Sequence, residues 1–462
     1  MIRFIFRSLT TLAVAAGFFF VAPKLHSQAL QKRGPEPEKK IIARPYDSGF
    51  KEAHDTYNGI SPASDGRIYY VLSSQSIDVG GKMFAYDPKL DRIEYLGDLT
   101  EACGEKGLKA VPQGKSHVRF YEAEGRLYFA THCGYYITRD GMEILPDPPP
   151  AGYKPYPGGH FLSFDIGSKK FTSLATAPGG EGILSMTMDI KRKRLYGLTW
   201  PSGYFIRYDM LRNELKNLGT VFEKGEAVKG ALYRTICRSL AIDPDEGSVY
   251  FTSSTGTIYR YRPDVDAVSA VEWENLRKDY FGRYDPSSPG HMGYNWRQTA
   301  WNPSDHALYG VHGNSGYLFR FDPRGLRLDV LDRITSEPSK RSGMFDQFSY
   351  GYLGFTMGPD GRTLYYLTGG PVYVNGKRVT GKSSTAKGEA KGVENLHLVT
   401  YDIPTGSCRD HGPIFFPNDE RPSYVNSIAI ANDGRVFTIA RIPDKGRERV
   451  DLVAIPAPRL RK

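Results

Sequence analysis

The sequence predicts an all-β protein. Its 31 Tyr, 50 Gly and 31 Pro residues suit many short strands that are separated by turns. A strand pattern centred on an aromatic residue also recurs along almost the whole chain. A two-domain α/β fold would need helical patterns of about 10–15 residues between the strands, and the sequence has none. The composition and the missing helices therefore favour the all-β class.

The recurring pattern appears seven times, with central aromatics 54 to 72 residues apart. A third strand and then a fourth follow most copies. Four strands in each of seven units predict a seven-bladed β-propeller with four-stranded blades and long loops on one face. The copies are GRIYYVL at Gly66, GRLYFAT at Gly125, KRLYGLT at Lys193, GSVYFTS at Gly247, HALYGVH at His306, RTLYYLT at Arg362 and GRVFTIA at Gly434.

The chain divides into three predicted parts. Residues 1–29 have the features of a signal peptide: Arg3 and Arg7, an apolar run over 8–21, and a small-x-small cleavage site ending at Ala29. An uncleaved N-terminal anchor is the alternative. Residues 30–45 are a predicted linker, and residues 46–462 are the propeller. The seventh copy is the weakest, and we expect residues 41–46 to supply its outer strand and so protect the edge.

These features predict a protein exported to the periplasm or the outside of the cell. Removal of residues 1–29 lowers the formal net charge from +10 to +7, so the mature protein stays basic. A spread positive charge favours anionic partners. Export argues against a nucleic-acid partner, and membrane contact is expected only if the N-terminal segment stays uncleaved. The oligomeric state is not predicted.

The four cysteines are too few for a disulfide scaffold and form no C-x-x-C pair. Cys103 and Cys133 approach blade two from one face, so a disulfide between them is one prediction for an oxidising compartment. Cys237 and Cys408 are predicted to be small buried residues in strands.

A hairpin in blade two carries the first candidate site. It reads HVRFYEAEGRLYFATH, with His117 and His132 at its outer ends. A two-residue turn at Glu124 and Gly125 would pair the histidines at the mouth of the central channel. Repulsion between two imidazolium ions should lower one pKa and leave a neutral imidazole, the form that a general base needs. The alternative is that both are surface or hydrogen-bonded residues without a functional role.

The same strand pairing brings residues of the other blades to this mouth, which we call the funnel. The long loops at residues 133–159 and 369–395 lie on the same face, which is typical of a binding site. The predicted funnel residues of the other blades are Asn58, Trp200, Tyr204, Arg234, Arg238, Trp296, Arg297, His312, Tyr350, Tyr352 and Asn426.

Each type of funnel residue has a chemical use and a structural alternative. Trp200 and Trp296 would stack on sugar rings, or else pack as core aromatics between blades. Arg234, Arg238 and Arg297 would bind a substrate carboxylate, or else pair with neighbouring acids. The sequence has no G-x-S-x-G, H-E-x-x-H or phosphate-binding glycine motif. A glycosidase with two distant acids stays open.

The hairpin resembles a known family. The turn GKSH followed by GRLYFATH, in a seven-bladed propeller behind an export signal, is similar to the propeller-fold polysaccharide lyases, particularly ulvan lyases and more distantly oligogalacturonate lyases. The architecture covers nearly the whole chain, and the motif covers only blade two.

The resemblance implies cleavage of a uronic-acid polysaccharide or oligosaccharide by β-elimination. In that chemistry a basic group neutralises the carboxylate, a His or Tyr removes the C5 proton, and an acid assists the leaving oxygen. By resemblance His117 and His132 take the base and carboxylate-neutralising roles, Tyr204 is the acid, and Arg238 or Arg234 binds the carboxylate. Arg234, Trp200, Trp296, Arg297 and His312 would bind substrate.

We predict no cofactor and no metal. Some relatives hold a structural metal, but the conceivable ligands His291, His312, Cys237 and His397 have no recognisable spacing. Two other functions stay open, because a fold does not determine function. One is a non-catalytic propeller that binds a glycan or protein on the same face, and the other is a hydrolase or isomerase that uses distant acids.

Overall fold

The structure is a computed structural model, and half of its residues are strand while 4% are helical, which confirms the all-β prediction. It describes residues 40–278, 281, 293–312, 315–341, 354–371, 373–374, 377–378, 394–425 and 427–460. The predicted signal peptide and most of the predicted linker lie outside these residues. No helix in the described ranges is long and apolar enough to cross a membrane.

The strands form seven antiparallel blades of four strands, which confirms the predicted propeller. Two short strands precede the blades, β1 (Ile41–Ile42) and β2 (Arg44–Pro45). Blade one has β3 (Ala53–His54), β4 (Ile60–Pro62), β5 (Ile68–Ser74), β6 (Lys82–Asp87) and β7 (Arg92–Asp98), where β3 and β4 share the inner position. Blade two has β8 (Tyr121–Ala123), β9 (Arg126–Ala130), β12 (His160–Asp165) and β13 (Lys170–Thr176), with an inserted hairpin of β10 (Ile137–Arg139) and β11 (Met142–Ile144).

Blades three to five follow one another without internal insertions. Blade three has β14 (Gly182–Asp189), β15 (Arg194–Trp200), β16 (Tyr204–Asp209) and β17 (Glu214–Thr220). Blade four has β18 (Ala241–Ile242), β19 (Val249–Thr252), β20 (Thr257–Arg262) and β21 (Ala267–Asn275). Blade five has β22 (Trp296–Asn302), β23 (Ala307–His312), β24 (Tyr317–Asp322) and β25 (Arg327–Arg333).

Blades six and seven complete the ring. Blade six has β26 (Phe355–Met357), β27 (Thr363–Pro371), β30 (Glu394–Asp402) and β31 (Ser407–Phe415), with a hairpin of β28 (Tyr373–Val374) and β29 (Lys377–Arg378). Blade seven has β32 (Tyr424–Val425), β33 (Ala429–Ile430), β34 (Val436–Asp444) and β35 (Arg447–Ile455). The described helical segments are α1 (Leu99–Ala102), α2 (Glu337–Arg341) and the 3-10 turns Pro178–Gly180 and Gly230–Leu232.

The N-terminal strands close the ring. Strand β2 pairs with β35 and becomes the outer strand of blade seven, which confirms the prediction for residues 41–46. Strand β1 pairs in parallel with β31 of blade six. Both strands lie inside the predicted linker 30–45, so the end of that segment belongs to the propeller. These pairings cover the outer edges of blades six and seven, whose backbone groups would otherwise be free to pair with another chain.

Two polar contacts connect blade seven to blade one and to the segment that precedes it. The backbone N–H and the hydroxyl of Ser48 donate to Asp451, at 2.7 and 2.6 Å. Arg441 donates from Nε and Nη2 to the two carboxylate oxygens of Asp55, at 2.9 and 2.5 Å. The Asp55 side chain is 5% exposed. A two-point guanidinium contact with a buried carboxylate fixes the geometry of both groups.

Aromatic side chains fill the spaces between blades. Trp296 of blade five is fully buried; it stacks on Phe319 of the same blade at a centroid distance of 6.0 Å and an angle of 14°, and its Nε1 donates to the Ser239 carbonyl next to blade four. Phe205 of blade three stacks in the same way on Phe251 of blade four, at 5.3 Å. Offset aromatic pairs of this kind add to the stabilisation from buried area.

All four cysteines are free thiols, so the predicted disulfide between Cys103 and Cys133 does not form in this structure. The two thiols have other partners: Cys103 Sγ lies 3.9 Å from the Thr131 hydroxyl, and Cys133 Sγ donates to the Tyr135 carbonyl at 2.9 Å. Cys237 is buried as expected, whereas Cys408 is only partly buried.

The contact between Arg441 and Asp55 yields a stability prediction. Arg441→Met leaves the Asp55 carboxylate buried without its cation, which should lower the free energy of unfolding by about 3 kcal/mol. Urea denaturation followed by tryptophan fluorescence measures this change. The control is Arg327→Met, which removes a surface pair with Asp329 and should cost less than about 1 kcal/mol. Equal losses in the two variants would contradict a special role for the closing pair.

Candidate functional site

The central channel contains a cavity of about 160 Å³ that borders blades one to five. His117, Arg238, Asn58 and Gln298 are among its lining residues. Asn58 and Gln298 also line a second cavity of about 270 Å³ toward blades six and seven. Gln298 Nε2 donates to Asn58 Oδ1 at 2.7 Å, so a hydrogen bond between blades one and five borders both cavities.

The hairpin of blade two forms with the predicted turn but with a different register at its inner end. Ala123 pairs with Arg126 across Glu124 and Gly125, whose φ values of +52° and +70° are those of a type I′ turn. Six residues after Arg126, however, His132 pairs with Lys115, where the turn alone would have placed His117. The chain has slipped by two residues, and His117 projects from the irregular segment beside its partner. The two imidazole rings still lie 4.6 Å apart, edge to face.

The backbone around the bridge between Lys115 and His132 is closely packed. A Cβ atom on Gly134 would lie 2.0 Å from the Ser74 carbonyl oxygen of blade one. A Cβ atom on Gly182 would lie 2.9 Å from the His132 ring. Only glycine allows the adjacent blades to come this close to the strand that carries His132.

His132 is held in one orientation by its neighbours. Its Nδ1 lies 2.9 Å from the Cys133 carbonyl oxygen, which can only accept, so Nδ1 carries the proton in the neutral ring. The Tyr136 hydroxyl donates to the same carbonyl and lies 3.1 Å from Nδ1. The Trp200 indole packs against the other side of the imidazole at 5.5 Å. His132 is 2% exposed.

His117 is the less constrained member of the pair. Its ring stacks on Tyr57 at 4.9 Å and 9°, and its Nε2 is a buried atom with no hydrogen-bond partner among the described residues. Burial holds the pKa of His117 well below its usual range, and the nearby His132, Lys115, Arg238 and Arg297 lower it further. His117 is therefore a neutral imidazole at pH 7.

Two of these cations have clear positions around the pair. Lys115 is 4% exposed, and its ammonium lies 4.8 Å from the centre of the Tyr136 ring. Arg238 donates from Nη1 to Glu226 Oε1 at 2.6 Å, while Trp200 Nε1 donates to Glu226 Oε2 at 3.0 Å. One buried carboxylate thus positions both the arginine and the tryptophan beside the histidines.

Two further arginines add positive charge. Arg297 is 1% exposed, and its charge acts on His117 and on Tyr57. Arg441, paired with Asp55, also lies 4.9 Å from the centre of the Tyr424 ring. Lys115, Arg238 and Arg297 all lower the pKa of His117, while Glu226 is paired with Arg238 and Asp55 with Arg441. The site is therefore suited to an anionic group.

Three tyrosines border the cluster. Burial raises the pKa of Tyr57, Tyr136 and Tyr424 far above the usual value for a phenol. Their hydroxyl groups therefore stay protonated at neutral pH and can donate a hydrogen bond or a proton, but cannot act as phenolate bases. The arrangement combines a neutral imidazole, buried cations and phenolic donors.

The structure brings together His117, His132, Trp200 and Arg238, with Arg297 close enough to act on His117. It does not place the other predicted residues in this cluster. Trp296 is fully buried between blades, and its Nε1 donates to the Ser239 carbonyl at 2.9 Å. His312 is also fully buried, stacks on Phe281 at 4.3 Å and contacts the Ser315 hydroxyl at 2.8 Å. Neither ring is exposed to stack on a sugar.

Arg234 and Tyr204 lie at the edge of the region. Arg234 pairs with Glu223 at 3.0 Å near the surface. Tyr204 begins β16 and packs, partly buried, against the core between blades two and three. Trp200 itself is 7% exposed, so its indole serves as packing for His132 more than as an open platform.

Sequence reasoning missed several residues of the cluster. Lys115 lies in the GKSH turn two residues before His117, and this position could have indicated that it lies near the histidine pair. Tyr57, Tyr136 and Glu226 come from loops without a repeat pattern, so only the folded ring reveals their proximity. Tyr350, Tyr352, Asn426 and His291 lie outside the described residues.

No metal site is apparent where the structure describes the chain, since no three His, Cys, Asp or Glu residues there lie together. Of the conceivable ligands, His397 instead binds Asp410, at 2.9 Å.

Comparisons with known proteins do not assign a family. Neither a family model nor a curated protein sequence matches this chain. Among solved structures, it is similar to a Bacteroides uniformis protein provisionally named 6-phosphogluconolactonase, with TM-score 0.42, 11% identity, 76% of this chain and 82% of that chain covered. It is also similar to a chain in a structure of the mitotic checkpoint complex, with TM-score 0.49, 11% identity, 94% of this chain and 98% of that chain covered. Neither similarity bears on function.

The buried neutral histidine predicts how stability depends on pH. Below about pH 6.5 the unfolded chain binds a proton at residue 117 that the native state does not, so the free energy of unfolding falls as the pH falls. His117→Asn should flatten this dependence by up to about 1.4 kcal/mol per pH unit. His411, whose pKa burial lowers to about 4, keeps acting in the same direction in both proteins.

Urea denaturation between pH 8 and pH 5 measures the effect. At pH 8 residue 117 is uncharged in both folded and unfolded chains, so the difference between wild type and variant there reports packing alone. If the free energies of unfolding of wild type and His117→Asn changed with pH in the same way over the whole range, His117 would not be held neutral.

Proposed function

We propose that this protein is an exported lyase that cleaves a uronic-acid-containing polysaccharide or oligosaccharide by β-elimination. The proposal rests on one observation: a neutral imidazole, His117, whose Nε2 has no partner among the described residues, lies in a cluster of buried cations. A general base must be neutral to accept a proton, and a uronate carboxylate needs neutralisation before its C5 proton becomes acidic. The cluster offers both groups in one place.

In this proposal Lys115 and Arg238 bind the carboxylate of the sugar. Both are charged groups with low exposure, and a buried cation interacts with an anion more strongly than a solvated one. Glu226 keeps Arg238 in position but also takes up part of its charge. The Lys115 ammonium also has a cation-π contact with Tyr136, which positions it beside the histidine pair.

The elimination then needs one base and one acid. The His117 imidazole takes the proton from C5, and the electron pair of that bond forms the double bond between C4 and C5. The bond between C4 and the glycosidic oxygen breaks, and the oxygen takes a proton from the Tyr57 hydroxyl. Tyr57 replaces Tyr204 as the proposed acid because its ring lies directly on that of His117. Its raised pKa keeps the proton on the phenol until the bond breaks.

The size of the channel cavity limits what can bind beside His117. A cavity of about 150 Å³ accommodates benzene. The cavity of about 160 Å³ that His117 and Arg238 line therefore holds no more than one sugar ring. We propose that the enzyme acts on the end of a chain or on an oligosaccharide.

The activity assay follows the ultraviolet absorbance of the conjugated double bond that β-elimination produces and hydrolysis does not. Purified mature protein should raise the absorbance with at least one uronic-acid substrate of a panel, and with oligosaccharides faster than with the polymer. His117→Asn should lower the rate at least 100-fold, the usual contribution of a general base. His306→Asn is the control, since His306 is partly exposed and pairs with Asp245 at the surface.

A flat trace with every substrate would contradict the lyase. Retained binding of the same uronates would then favour a non-catalytic binding module. If His117→Asn and His306→Asn lost activity equally, the assignment of His117 as the base would be contradicted.

Export is part of the proposal and has its own test. The apolar run over 8–21 and the cleavage site at Ala29 support it. Expression of the full chain in a secreting bacterial host should yield protein outside the cytoplasm whose intact mass corresponds to a chain beginning at Leu30. A full-length mass in the membrane fraction would instead favour the uncleaved anchor.

A further inference from the structure

A second polar cluster lies in blade two, away from the histidine pair. His160, the first residue of β12, has a partner at each ring nitrogen. Its Nε2 lies 2.8 Å from Glu105 Oε1, and its Nδ1 lies 2.8 Å from the Ser173 hydroxyl on β13. Glu105 is 6% exposed and His160 is 6% exposed, whereas Ser173 is exposed to solvent. A buried acid, a buried histidine and an open serine thus form a continuous chain of hydrogen bonds.

The direction of each hydrogen bond follows from the neighbours. Gln113 Nε2 donates to the Gly158 carbonyl at 2.8 Å, which identifies it as the amide nitrogen. The same nitrogen lies 3.2 and 3.1 Å from the two oxygens of Glu105, so the carboxyl group accepts. In the neutral ring His160 Nε2 therefore donates to Glu105, and Nδ1 carries the lone pair. The Ser173 hydroxyl donates to Nδ1, as a nucleophile does to its base.

The strand geometry brings the serine and the histidine together. The register between β12 and β13 shifts by one residue between Phe161 and Leu162, and Ser173 lies opposite Leu162. The extra residue is Leu174 on β13, and a bulge redirects the neighbouring side chain, here that of Ser173. His160 and Leu162 project from the same face of the blade, so the imidazole reaches Ser173 diagonally.

The position of β13 also supplies a donor for an oxyanion. Strand β13 is the outer strand of the blade. The Thr131 N–H donates to the His160 carbonyl, so the backbone groups of residues 160 and 162 point toward β9. Ser173, opposite residue 162, is then a non-hydrogen-bonded position, and its N–H points outward from the edge. The backbone N–H of the nucleophilic serine is one of the oxyanion donors in the serine hydrolase template.

We propose that Ser173, His160 and Glu105 form a second catalytic site that hydrolyses acyl esters. The two nitrogens of the imidazole are used in the reverse order from the usual triad, with the serine at Nδ1 and the acid at Nε2. The roles are unchanged, because one nitrogen is the base and the other is held by a carboxylate. Ser173 lies on the open face of an outer strand, so the ester is a short acyl group, such as an O-acetyl group, that protrudes from its carrier.

The reaction balances with water as the only co-reactant. The Ser173 oxygen forms a bond to the acyl carbon while His160 Nδ1 takes the hydroxyl proton. The ester bond breaks, and the alcohol leaves with that proton. Water then gives a proton to Nδ1 and adds to the acyl carbon. The bond to Ser173 breaks, the Ser173 oxygen takes the proton back from Nδ1, and the acid is released.

The first test is covalent labelling of the wild-type protein with a fluorophosphonate, followed by peptide mapping by mass spectrometry. We expect one adduct on Ser173. The matched control is Ser168, an exposed serine of the same hairpin whose hydroxyl binds Asp165 at 2.9 Å and faces no imidazole. Absence of an adduct on Ser173, or equal labelling of Ser168, would overturn the proposal.

The second test measures hydrolysis of p-nitrophenyl acetate. Ser173→Ala should remove the serine-dependent rate, and Glu105→Gln should lower it about 100-fold or more, because the imidazole loses the carboxylate that fixes its tautomer. Ser168→Ala should keep the wild-type rate. A Ser173→Ala rate equal to that of the wild type would overturn the proposal.

These outcomes are independent of the lyase. The uronate assay uses the histidine pair and should be unchanged in Ser173→Ala. Urea midpoints of Ser173→Ala and Ser168→Ala should agree with the wild type, since both serines are exposed. The labelling result needs no variant and decides the question even if Glu105→Gln loses stability.

Discussion

Closure of the ring is the constraint on which the rest of the structure depends. Strands β1 and β2 attach the beginning of the described chain to blades six and seven, and Arg441 binds Asp55 from the last blade to the first. Without closure the blades would expose sheet edges, which is a hazard for a β protein. Closure of the ring also brings the residues of the candidate site together, because His117, Arg238 and Arg297 come from blades two, four and five. Their mutual distances are set by the ring and by no single blade.

The fold was predictable because its signals are local. Each blade is indicated by strands of alternating apolar and polar residues, a tight turn and a central aromatic residue. These patterns can be recognised without knowledge of distant contacts. The outer strand of blade seven was predictable from an edge argument, since a ring must protect its last sheet. The pairing of β1 with blade six was missed, because two residues, Ile41 and Ile42, carry no periodicity that distinguishes a strand from a linker.

The site was predictable only in part because burial and register depend on neighbours. The two histidines lie together as predicted. Lys115, which pairs with His132, was overlooked because the strand pattern does not reveal the slip of two residues. Trp296 was expected on the funnel and is instead a core residue, because a strand pattern does not tell which aromatic fills the space between blades. Tyr57 and Glu226 lie in irregular segments, where sequence spacing gives no distance.

The polar cluster around Glu105 connects the outer part of blade two to the histidine pair. Gln113, which donates to Glu105, stands two residues before Lys115, and its Oε1 accepts from the Thr131 hydroxyl, one residue before His132. The Tyr156 hydroxyl donates to the same oxygen at 2.6 Å. These buried contacts hold together the two chain segments whose next residues form the bridge between Lys115 and His132. A buried polar network of this kind fixes one geometry because any rearrangement leaves a group unsatisfied. The position of the cation and the imidazole in the channel is therefore set from the outer half of the blade, and a substitution at Glu105 acts on both sites through the backbone that they share.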